Sequence, residues 1–124
     1  MILNAKTKYS IVIPEFKIAD LKNITDLLCE NFYSQLIYEG ILIDFKDLSK
    51  WIDNIDFCKT DNDSKTIGVQ NYNIRKINDW KFEYPNLDTF DFREITKRLN
   101  SVPFKVLKWK TPREEMKILI DICA

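Results

Sequence analysis

Apolar positions along the first half of the chain follow two different periods. Tyr9 to Ile13 (YSIVI) is a β-branched run closed by Pro14, which has no N–H to donate to a ladder, and it predicts a strand. From Ala19 to Tyr38 the period changes. Leu21, Ile24, Leu28 and Phe32 return at three- and four-residue steps, Leu27 and Leu36 widen the stripe, and Gly40 follows as a stop signal, which together predict a helix. Ile41 to Phe45 (ILIDF) predicts a second strand, Leu48, Trp51 and Ile52 a short helix, and Ile55 to Cys58 (IDFC) a third strand. The polar stretch from Lys59 to Thr66 breaks the pattern, after which Ile67, Ile74, Ile77 and Trp80 give a helical period running through Gln70.

The second half carries two helix-start signatures. Asp91 and Glu94 are spaced as a capping box ahead of Ile95 and Leu99. Thr111-Pro112-Arg113-Glu114 combines a Thr N-cap, a Pro at the first helical position and a Glu at the third, so a last helix is expected from Pro112 towards Ile122, burying Met116, Leu119 and Ile120. Strands alternating with helices, then helices alone, predict a mixed α/β layer structure. No repeat or linker divides it, and residues 1–124 read as a single domain or a fragment of one.

Composition narrows the chemistry. The chain is 45% apolar and 13% aromatic, enough for one real core. Nineteen Lys and Arg balance nineteen Asp and Glu, so no net positive field draws in a polyanion, although a local basic face remains open. There is no histidine, and Cys29, Cys58 and Cys123 form no C-x-x-C pair, which excludes a Cys/His zinc site and any Ser-His or Cys-His nucleophile. Reduced thiols and the absence of an apolar window near ~20 residues predict a soluble, cytoplasmic protein with no membrane partner. Asp53, Asp56, Asp61 and Asp63 lack the turn glycine and closing glutamate of a calcium loop.

Three blocks carry a family resemblance. Arg98-Leu99-Asn100 through Lys108-Trp109-Lys110-Thr111-Pro112-Arg113-Glu114, Tyr84-Pro85 through Asp91-Phe92, and Val69-Gln70-Asn71-Tyr72-Asn73 stand in the order and near the spacing of the closing part of a transposase core. In these blocks the chain resembles the IS-thirty branch of the bacterial insertion-sequence DDE transposases. Lys6 to Ile13 is similar to that family's K-(S/T)-R-Y-T-I-x-V strand, with the helix after it in the expected place, and Ile43-Asp44-Phe45 falls where the family has D-N-G.

The resemblance implies a ribonuclease-H-like sheet with flanking helices, its first strand lying before Met1, since Met1-Ile2-Leu3 is too short to replace it. It also implies strand transfer at phosphodiester bonds by three carboxylates holding two metal ions. Asp44 stands at the second acidic position and Gln70, an amide, at the third, so both are remnant positions and catalysis is not expected. No cofactor is expected, with Mg2+ relevant only to residual activity. Asn71, Asn73, Arg98, Lys105, Lys108 and Lys110 are the candidates for weak DNA binding. Bland readings stand beside these: Asp44 as the polar end of a strand, Gln70, Asn71 and Asn73 as a polar helix face, and the three lysines as a solvated edge over a buried Trp109. The expected function is a transposase-derived, inactive DNA-binding remnant; the alternative is a small cytoplasmic protein-binding module, of inhibitor or immunity type, anchored by aromatic side chains.

Overall fold

A computed structural model describes residues 1–13, 16–52, 61–83 and 92–123, the side chain of residue 123 excepted. The chain begins with a hairpin in which β1 (Ile2–Leu3) pairs antiparallel with β2 (Ser10–Ile11), Ile2 opposite Ile11 and Leu3 opposite Ser10. Asn4 builds the turn: its side-chain oxygen accepts from the N–H groups of Lys6 and Thr7 and from the Thr7 hydroxyl. A 3-10 turn over Ile18–Asn23 leads into α1 (Ile24–Tyr38), followed by α2 (Phe45–Trp51), α3 (Ser64–Glu83), α4 (Phe92–Leu99), a 3-10 turn at Lys105–Leu107, and α5 (Pro112–Cys123).

The core lies where β2, α1, α2 and α5 meet. Tyr9, Ile11, Phe32, Leu36, Ile41, Leu48, Met116 and Ile120 form one buried cluster. α1 is its central element and packs on α2, α4 and the hairpin. The expected stop at Gly40 is a Schellman motif: Gly40 N–H donates to Ile37 O at 3.0 Å and Ile41 N–H to Leu36 O at 2.8 Å. Gly40 takes φ of 78°, which a side chain would strain, and the motif turns Ile41 back against Leu36 inside the core.

The α/β expectation is overturned. The fold is mostly helical, and among the described residues the only sheet is the two-stranded hairpin, so the ribonuclease-H-like sheet is absent. The reason is local at Ile41 to Phe45. Ile41 spends its N–H closing α1, and Asp44 caps α2 by accepting from Lys46 N–H at 2.8 Å, so the run joins two helices and pairs with no strand. The strand expected over Tyr9 to Ile13 shortens to Ser10–Ile11. The strand expected at Ile55 to Cys58, and Asp91 of the first capping box, lie outside the described residues. Thr111 caps α5 as expected, its hydroxyl accepting from Glu114 N–H at 3.1 Å.

Candidate nucleic-acid interface

Two polar constructions join α3 to the rest of the molecule. In the first, Glu39 is 2% exposed, and one of its carboxylate oxygens accepts from Gln35 Nε2 at 3.0 Å, Asn100 Nδ2 at 3.1 Å and the Tyr9 hydroxyl. Asn100 also bridges both backbone groups of Ser10, and Ser10 Oγ accepts from Asn73 Nδ2 of α3 at 2.8 Å. Arg113 donates to Glu39 O at 2.7 Å, tying α5 to the same point. Burial, then the negative charge of Glu39, holds the Tyr9 phenol far above the usual range, so it stays a donor.

The second construction sits at the start of α3. Asp63 accepts from Lys65 N–H at 3.2 Å and from the Thr66 hydroxyl, an N-cap arrangement. Lys8, held at φ of 62° and nearly buried, donates to Thr66 Oγ1 at 2.8 Å and to Ala5 O, with its ammonium 3.9 Å from Asp63. The Thr66 hydrogen bond is the main cause that lowers the Asp63 pKa, with Lys65 N–H and the Lys8 charge adding to it.

Fixed in this way, α3 forms one wall of a groove of about 430 Å³, the other wall being Phe104, Lys105 and Val106. Lys65, Gly68, Tyr72 and Arg75 recur on α3 at helical spacing and all line it. No residue among those lining it is acidic. Lys65, Arg75 and Lys105 form no ion pair among the described residues, whereas Arg98 pairs with Glu94 at 3.7 Å and Lys110 with Glu115 at 3.8 Å. Tyr72 and Phe104 meet edge to face with centroids 5.5 Å apart, and Lys76 Nζ stands 5.6 Å from the Tyr72 ring centre.

The positions singled out in the sequence scatter over this framework. Lys105 lies in the groove. Asn73 is turned inward and bonded to Ser10, so it is withdrawn from any ligand. Gln70 is half-buried and Asn71 exposed on α3 outside the groove lining; Arg98 is engaged by Glu94 and by the Trp80 ring at 5.9 Å. Lys108 and Trp109 occupy a left-handed turn with φ of 55° and 65°, and Trp109 is 67% exposed, so the lysines do not cover a buried tryptophan. Asp44 is the α2 cap, and no group of three or more His, Cys, Asp or Glu among the described residues is arranged to hold a metal. Lys65, Gly68, Tyr72, Arg75 and Phe104 were missed, although the 65–68–72–75 spacing is readable in the sequence.

Residues 1–115 match the model of a family described as a domain of unknown function, DUF6933, and the chain belongs to that family. No curated protein and no solved structure matches it.

Proposed function

We propose that this DUF6933 chain is a non-enzymatic domain that binds nucleic acid along the groove between α3 and the Phe104–Val106 segment. The observation that supports the reading is the trio Lys65, Arg75 and Lys105, gathered around one concavity with no acidic neighbour in its lining, while Arg98 and Lys110 are paired with carboxylates. Unpaired cations facing one space favour a polyanion, because each phosphate they neutralise releases a condensed counterion. Strand transfer is not part of the proposal. The fold implied by the likeness to transposases is missing, and Asp44 is occupied as a helix cap.

Fluorescence anisotropy with labelled oligonucleotides across a salt series tests this. Three phosphate contacts on a single strand give a slope of log K against log salt of about −2, which is an affinity loss near 20-fold between 50 and 200 mM salt. Arg75→Ala and Lys105→Ala are each expected to flatten that slope. Absence of salt-dependent binding refutes the reading.

A second reading, a protein-binding module, is favoured by an apolar cleft of about 380 Å³ lined by Ile2, Ile13, Phe16, Leu21, Ile24 and Leu28, with Ile18 86% exposed on the 3-10 turn beside it. Such exposed apolar surface commonly marks an interaction site. Leu21→Asp should abolish partner capture under this reading and leave oligonucleotide binding untouched.

A further inference from the structure

Gly68 stands in the interior of α3, where glycine is less favourable than alanine by about 0.8–1.0 kcal/mol. Packing among the described residues does not require it. Among these residues, a Cβ placed on Gly68 meets no atom within 4 Å beyond its chain neighbours and its own helix backbone, and the residue lines the groove. A glycine whose missing side chain leaves open space in a cleft lets something approach the backbone closely. One helical turn on, at Tyr72, begins the aromatic pair with Phe104. In an edge-to-face pair at least one ring face is left uncovered by its partner, and a nucleobase stacks on such a face.

The cations frame this spot. Lys65 lies three residues before Gly68, Arg75 three after Tyr72, and Lys105 follows Phe104 on the opposite wall. From Lys65 to Arg75 the helix rises about 15 Å. These cations sit in a concavity instead of on a convex helix face, which disfavours insertion of α3 into a duplex major groove, where the helix itself must protrude. A duplex also keeps its base faces stacked inside, whereas a single strand offers them.

We infer that the groove takes single-stranded nucleic acid, with one nucleotide laid on the α3 backbone at Gly68, its base against the Tyr72–Phe104 pair and the flanking phosphates on Lys65, Arg75 and Lys105. This rests on the reading of the groove as a nucleic-acid site. Gly68 then acts as a size filter: the nucleotide occupies the space that a side chain would take.

The test uses the whole chain and three probes: a labelled single-stranded 12-mer of mixed sequence, its duplex, and inorganic polyphosphate. Gly68→Leu fills the groove with a better helix former, so its thermal transition should not fall below that of the parent, yet single-strand affinity should drop about tenfold. Gly68→Ala reports separately on the fold. Tyr72→Leu should cost the single strand a similar factor by removing a stacking surface. Asp44→Ala, outside the groove, serves as a control expected to bind like the parent. Duplex or polyphosphate binding as tight as the single strand, or full affinity in a folded Gly68→Leu chain, overturns the single-strand inference while the wider reading stands on its salt slope. Salt-independent binding, or none, to all three overturns both.

Discussion

Replacing Glu39 by alanine should strip the centre of the molecule of its shared acceptor. Three donors converge on one carboxylate oxygen, but they do not lose equally. Gln35 Nε2 still has Arg93 O at 3.0 Å, and Asn100 Nδ2 still has Ser10 O at 3.0 Å. Each forfeits one of two hydrogen bonds, worth about 0.5–1 kcal/mol. Among the described residues the Tyr9 hydroxyl has no second hydrogen-bond partner, and it lies in a residue 1% exposed, so it bears the full penalty of a buried orphan donor, about 1–3 kcal/mol. Relief from burying a charge acts in the opposite direction, and the cavity left by the side chain adds to the loss. The expected net destabilisation is about 3 kcal/mol, a large part of the roughly 5–15 kcal/mol that holds a domain folded.

Urea unfolding followed by tryptophan fluorescence reads this as a lower midpoint at unchanged slope. The sharper check is a double-mutant cycle with Tyr9→Phe. In the parent, Tyr9→Phe removes one of three donors to Glu39 and should destabilise. In the Glu39→Ala background the same change deletes the orphaned hydroxyl and should restore about 1 kcal/mol or more. If Tyr9→Phe destabilises both backgrounds equally, or if Glu39→Ala costs less than about 1 kcal/mol, the convergence on Glu39 does not hold the fold together.

Tyr9 also makes stability depend on alkaline pH. Its pKa is raised in the folded state, by burial first and then by Glu39, so its contribution is fully present below the unfolded tyrosine pKa and is lost as pH rises above about 10, at about 1.4 kcal/mol per pH unit. Ultraviolet difference titration of the parent against Tyr9→Phe should show the Tyr9 phenol ionising only with unfolding; its ionisation in the native state would contradict this. Asp44→Ala should lower stability by about 1 kcal/mol through loss of the α2 cap, measured by the same urea assay, and leave oligonucleotide affinity as in the parent. A selective loss of binding there would return Asp44 to the site.

Helix positions were legible because their signals are local. The apolar stripe of α1, its Gly40 stop and the Thr111-Pro112 start of α5 each declare themselves within a few residues. Strands were over-read for the converse reason. ILIDF alternates as a strand should, with Ile41 buried and Leu42 81% exposed, but whether such a run finds a ladder depends on its neighbours, and here helix-capping bonds claim its ends. The face of α3 was also misjudged. Ile67 and Ile74 are 40% and 45% exposed while Val69 and Asn73 are buried, because the helix docks largely through polar partners that a hydrophobic period does not register.

That polar docking bears on how a chain of zero net charge can present a basic site. Charge balance is a property of the whole sequence, but ions interact strongly only within a screening length of about 8–10 Å at physiological salt. What a ligand meets is set by how the cations are distributed. Glu94 and Glu115 are each spent on a cation outside the groove, and Asp63, the carboxylate at the start of α3, is already engaged by Lys8, Thr66 and a backbone N–H. Lys65, Arg75 and Lys105 are therefore left facing a cleft whose lining includes no acid. Because α3 buries only Val69 among its apolar residues, the Asn73–Ser10 and Lys8–Thr66 hydrogen bonds hold that arrangement in place. The buried polar centre and the basic groove are thus one construction: the hydrogen bonds that look purely structural from the core fix the orientation in which α3 displays its cations.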